Sequence, residues 1–92
     1  MGVADAIEMK LQQEFLPVRL EIVDESHLHA GHAGARPQGE SHFRVEIVSR
    51  AFVDMSRLDR QRAVYRILAD EMASDIHALA LKTLTPEEES AA

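Results

Sequence analysis

Four of the chain's five histidines, His27, His29, His32 and His42, fall in the stretch "ESHLHAGHAGARPQGESHF", residues 25 to 43. Three of its four glycines and one of its three prolines lie there too. A neutral imidazole ligates borderline metals, and it is the side chain most easily switched by protons near neutral pH. His27-x-His29-x-x-His32 offers three imidazoles but no fourth protein ligand, and a closed structural zinc site takes four ligands with a placed outer shell. Adventitious zinc or nickel binding is expected of it, and a closed site is not. Ser26 and Ser41 have histidines nearby, yet no nucleophile-elbow pattern or Gly-rich phosphate loop is present. A chain of 92 residues also leaves little room for a substrate cleft. These residues point to binding, and no enzyme is expected. The fifth histidine, His77, stands alone in an apolar run, where a histidine is ordinarily a hydrogen-bonded residue at a sheet edge.

The rest of the chain must position these groups. Ninety-two residues with a 46% apolar share make one modest core, so a single domain over 1–92 is expected. With no cysteine, disulfides, thiolate zinc sites and a self-contained cysteine-ligated iron–sulfur cluster are excluded. No apolar run approaches the roughly 20 residues of a membrane span, and the start lacks a signal-peptide profile. A soluble cytoplasmic protein that does not engage membranes is the expectation. The net charge of −6 has the wrong sign for a protein that coats nucleic acid. A local exception is Arg57, Arg60, Arg62 and Arg66, set against Asp59 alone.

Ile7, Leu11 and Phe15 recur every four residues among polar ones, which predicts an amphipathic helix from Val3 to Leu16, ended by Pro17. Residues 18–23 and 43–48 alternate, with Val18, Leu20 and Ile22, then Phe43, Val45 and Ile47, on one side. Both read as half-buried strands joined by the histidine-rich loop, 25–42, a longer connection than most hairpins have. Ser56-Arg57-Leu58-Asp59 is a helix start. The helix should run to about Ala73, with Leu58, Val64, Tyr65, Leu68 and Met72 on its inner face. A third strand is expected from Ile76 to Leu81, and a short tail helix over 85–90 behind the Thr85 cap and Pro86. The order α-β-β-α-β-α makes a two-layer α+β sandwich: a three-stranded mixed sheet with its long helices on one face.

On these residues the chain resembles the BolA family. The carriers are "LEIVDES" (20–26), "GESHF" (39–43), "VS" (48–49), "RLDRQRAVYRILADE" (57–71), "IHALALKT" (76–83) and "TP" (85–86). The resemblance implies a class II KH-like α/β sandwich, in agreement with the order just derived. It also implies an adaptor that pairs with a monothiol glutaredoxin and shares a glutathione-bound 2Fe–2S cluster, or alternatively a DNA-binding transcriptional regulator. The family's third-strand histidine falls on His77, and its loop ligand falls on His29 when the "DES" segments are aligned. His32 competes for that role. Two further departures stand out. Gln61 separates Arg60 from Arg62 where the family often has a histidine, and the aromatic residue common soon after Thr-Pro is missing. A weakly docked tail helix is expected from the latter.

The chemistry that fits is half a site. Two histidines on one iron of a 2Fe–2S centre, with thiolates on the other, is an accepted ligation. This chain offers imidazoles and no thiolate, so the thiolates must come from partners, which the resemblance implies are a glutaredoxin cysteine and glutathione. The protein is then a monomer when free and half of a heterodimer with its partner, and the isolated chain carries no cofactor. His27 is read as solvated, and His42, with Ser41, as a structural residue at the loop's base. Residues 30–39 have no apolar side chain larger than alanine, which predicts mobility in the free protein. If DNA is bound, Arg57, Arg60, Arg62 and Arg66 would meet it through the KH-like surface. The competing reading pairs those arginines with Asp59 and Asp70 at helical spacing.

Overall fold

The computed structural model describes residues 2–25 and 42–91. Helix α1, Val3–Phe15, follows from the four-residue spacing: Ile7, Leu11 and Phe15 come to one side and are buried. It ends as Pro17 requires. Leu16 adopts φ 45°, and its N–H donates to the Gln12 carbonyl at 3.1 Å.

Strands β1 (Arg19–Asp24), β2 (His42–Val48) and β3 (Ala78–Leu84) form one sheet in the order β1-β2-β3. β1 and β2 are antiparallel, running from Arg19 opposite Val48 to Asp24 opposite Phe43. β2 and β3 are parallel, from His42 opposite Ala78 to Val48 opposite Leu84. A parallel pair needs a crossover. Here it comprises a 3-10 turn, Arg50–Phe52, then α2 (Arg57–Ile67) and α3 (Ala69–Ser74). One face of the sheet carries Leu20, Ile22, Phe43, Val45, Ile47, Leu79 and Leu81 into a core with α1 and with Val64, Leu68 and Phe52. The Phe15 and Phe52 rings lie 5.2 Å apart in a tilted contact. The sheet is mixed and the fold is α+β, as expected. Among the described residues no helix is long and apolar enough to cross a membrane.

Ser49, fully buried just past β2, ties the layers together. Its hydroxyl donates to the Phe15 carbonyl at the end of α1 at 2.6 Å and accepts the Ala51 N–H at 3.0 Å. Ser49→Ala strands that buried carbonyl without a donor. A loss of roughly 1–2 kcal/mol in a urea titration is expected. A loss within error would mean that another group satisfies Phe15.

The crossover departs from the expected single helix. Its path bends at Leu68, with φ −97° and ψ 17°, so α2 and α3 are separate segments. Its inner face also differs. Leu58 and Tyr65 are exposed, at 55% and 37%. The buried ridge instead runs through Arg60, Val64 and Leu68, at four-residue steps. Leu58 precedes Arg60 by two positions and therefore points nearly the opposite way round the helix. Tyr65 keeps one tie, its hydroxyl donating to the Leu79 carbonyl at 3.3 Å. Strand β3 begins two residues later than expected and runs to Leu84, because Lys82 and Thr83 continue it although the apolar run ends at Leu81. Val18 stays outside β1 and is 56% exposed, though its N–H reaches the Val48 carbonyl at 2.8 Å.

The tail helix α4, Pro86–Ala91, is held by charge where an aromatic anchor was missing. Thr85 and Glu88 form a reciprocal cap: the Glu88 N–H donates to Thr85 Oγ1 at 3.1 Å, and the Thr85 N–H to Glu88 Oε1 at 2.9 Å. Arg60 pairs with Glu88 at 2.6 Å, and Arg19 bridges Glu89 and Glu46. The tail helix forms as expected, and its contacts to the rest of the fold are ion pairs and a cap, with none of its own residues buried.

Candidate functional site

The register determines which groups meet at each end of the sheet. β1 finishes at Asp24, β2 starts at His42 and β3 starts at Ala78, so one end gathers the close of β1 and the openings of the other two. The Glu25 N–H donates to the His42 carbonyl at 2.8 Å, and the Glu25 carboxylate lies 3.5 Å from Arg44 Nε. The segment between these residues therefore leaves the sheet and returns to it at this end. His77, immediately before β3, is at the same end.

His77 precedes β3 in a bend and is exposed. Its neighbour Ile76 is 5% exposed within the core, and alternation turns His77 outward. The Asp75 and Ile76 N–H groups both donate to the Glu71 carbonyl at 2.8 Å, closing α3. With Ile76 buried and Ala78 in register with His42, the backbone that carries His77 is held on both sides. The imidazole thus projects from a fixed base.

His42 is the unforeseen member of this site. It is 6% exposed, and its ring centroid is 5.1 Å from that of His77, with planes inclined at 54°. Counting from the loop, it is a structural residue. Parallel pairing makes it the cross-strand neighbour of Ala78, which brings its ring beside that of His77. The sequence carried that signal only once β2 and β3 were put in register. His27, His29 and His32 lie outside the described residues, as do Ser26, Ser41 and the segment expected to be mobile. Among the described residues no three His, Asp or Glu side chains converge on one point as a metal cage would require. The described half of the site has one exposed imidazole backed by a buried one.

The four arginines divide. Arg60 is 5% exposed and turned inward: Nε donates to the Met55 carbonyl at 3.1 Å, Nη1 to the Thr83 carbonyl at 3.3 Å, and both terminal nitrogens to Glu88. Its guanidinium also lies 5.9 Å from the Phe52 ring centroid. It is a core residue and does not belong to an outward basic patch. Arg57, Arg62 and Arg66 are exposed. Arg62 lies 3.9 Å from Asp59, with both side chains more than half exposed, a pairing too solvated to neutralise it. Asp70, the expected partner of Arg66, instead lies 4.0 Å from Lys10. Burial of Arg60 was hard to foresee, because its partner Glu88 is 28 residues away in the chain.

The hydrogen bonds from Arg60, followed by the Thr85 N–H, lower the Glu88 carboxyl to about 2. The Arg19 guanidinium likewise lowers Glu46. These charges serve the docking of α4, and neither lies at the histidine end of the sheet.

The family model described as BolA-like protein matches residues 11–88. The chain is 46% identical over 88 residues to the DNA-binding transcriptional regulator BolA of Escherichia coli, covering 96% of this chain and 80% of that one. It is 45% identical over 87 residues to the chloroplastic protein BOLA1 of Arabidopsis thaliana, covering 92% of this chain but only 54% of that longer one. Among solved structures, BolA1 from Arabidopsis thaliana superposes with a TM-score of 0.86 at 42% identity, covering 96% of each chain.

Proposed function

The chain belongs to the BolA-like family, and we propose that it is an adaptor for a monothiol glutaredoxin, with which it shares a glutathione-bound 2Fe–2S cluster in iron–sulfur assembly, trafficking or iron regulation. His77 and one loop histidine, His29 or else His32, supply the imidazoles. The supporting observation is the convergence at one end of the sheet: the exposed His77 stands where the histidine-rich segment departs and returns. The donor set suits a shared cluster. It has imidazoles for one iron and no cysteine for the other, so it is complete only beside a partner that brings sulfur. When bound, such a cluster supplies electron-transfer and iron–sulfur transfer chemistry. The chain's own contribution is to present His77 on a held backbone and to hold the loop's two ends beside it. A cytoplasmic setting and a free monomer are part of the proposal.

Anaerobic co-purification with a monothiol glutaredoxin, followed by visible absorption and iron analysis, tests it directly. Iron and glutathione are expected to travel with the heterodimer, and its spectrum should differ from that of glutaredoxin's own cluster. Iron found only with glutaredoxin would refute the proposal.

A second reading has its own support. The Escherichia coli relative is named a DNA-binding transcriptional regulator, and Arg57, Arg62 and Arg66 remain exposed here. With a net charge of −6, the apo protein should bind random duplex weakly near physiological salt. If these arginines meet phosphates, replacing Arg62 and Arg66 by Ala should lower the slope of log K against log salt by about 2. Arg60→Ala should act on folding instead. Tight, salt-tolerant binding to random duplex would contradict the electrostatic expectation.

A further inference from the structure

We propose that His42 is a positioning residue: its buried ring holds the exposed His77 imidazole in one orientation at the open end of the sheet. The inference rests on reading His77 as an iron ligand. An exposed histidine ordinarily hops between rotamers within nanoseconds, and stopping that motion opposes ligation. Groups that orient a metal-binding imidazole therefore matter nearly as much as the ligands themselves.

Three features suit His42 to this role. It is 6% exposed, so its own ring is packed in place. Its backbone is held twice, by the Glu25 N–H at 2.8 Å and by its register with Ala78. Its ring meets that of His77 at 5.1 Å and 54°, within the range of favourable tilted aromatic contacts. His42 is also the residue at which the histidine-rich segment rejoins the sheet. The residue that opens β2 and the support of His77 are thus one side chain.

The test compares wild type with two ringless variants, His42→Leu and His42→Gln, and with His42→Phe, which keeps a ring. In the isolated apo protein, side-chain relaxation and rotamer-reporting couplings of the His77 ring are measured by NMR, with backbone shifts as the check of fold. Wild type and His42→Phe should show one dominant His77 rotamer. The ringless variants should keep the backbone shifts, while alternative His77 rotamers gain about 2- to 10-fold in population. In complex with glutaredoxin, the same variants should lose the cluster to a chelator severalfold faster, and His42→Phe should restore the rate. The proposal is overturned if His77 is already averaged in wild type, or if it stays ordered in whichever ringless variant folds. Failure of wild type to form any mixed cluster would defeat the shared-cluster reading alone, since the apo measurement still judges the His42 contact.

Discussion

His77→Ala should remove the histidine-type spectrum of the mixed complex almost entirely, leaving at most the cluster that glutaredoxin holds alone. Among the described residues His77 is an exposed imidazole at the end of the sheet, and no Asp, Glu or second exposed histidine joins it in a set of three. The neighbouring imidazole among the described residues, His42, is only 6% exposed and so is poorly placed to take over from it. Alanine at this exposed position should cost little stability, so loss of the spectrum with an unchanged melt would separate ligation from folding. His29→Ala should produce most of the same loss, and His27→Ala none. Imidazoles must be neutral to ligate, so acidification should weaken the complex in competition with protons. If His32→Ala abolishes the mixed cluster while His29→Ala spares it, the loop ligand is His32 and the function stands. A wild-type spectrum from His77→Ala would sink the mechanism.

The contrast between His77 and His42 shows where the sequence was legible. Ile7, Leu11 and Phe15 announced α1, and Phe43, Val45 and Ile47 announced β2, because each set repeats with the period of its own element and all are buried. The order of elements then led to the mixed sheet. The site was only half legible. His77 stood out because it interrupts an apolar run, whereas His42 looked like the end of a loop. Its meaning depends on parallel register with a strand 36 positions further on, and no local pattern encodes that. Leu58 and Tyr65 failed for a related reason. Apolar type suggested burial, yet the helix rotates so that Arg60 faces inward, its charge met by a glutamate in a helix beyond the third strand. Long-range partners decide such positions, and a local reading assigns them by residue type.

Arg60 should therefore be among the most sensitive positions for stability. Its side chain is 6% exposed and joins four parts of the fold: the Met55 carbonyl before α2, the Thr83 carbonyl of β3, Glu88 of α4 and the Phe52 ring. Arg60→Ala removes the packed stem and every one of these bonds, leaving the buried Thr83 carbonyl short of a donor. A loss of roughly 2–4 kcal/mol is expected, the range for truncating one member of a largely buried hydrogen-bonded charge pair. In a chain of this size each kcal/mol lowers the melting temperature by about 4–8 °C. Arg60→Lys keeps the charge but loses the bidentate grip on Glu88, so it should recover only part of the loss. Acidity provides an independent check with a definite sign. Glu88 is lowered from 4.5 to about 2 in the folded chain, chiefly by Arg60, so the folded state favours its ionised form. Its contribution is fully present above the ordinary glutamate range and is lost as pH falls from 4.5 toward about 2. The stability gap between wild type and Glu88→Gln should accordingly be flat above about pH 5 and close as pH falls through that window. Urea titrations across pH 2 to 7 measure this, with Arg60→Ala expected to shrink the pH-dependent part of the gap to the share that the Thr85 N–H sustains. A gap that persists unchanged to pH 2, or an Arg60→Ala cost below about 1 kcal/mol, would show that the tail is held by something other than this pair.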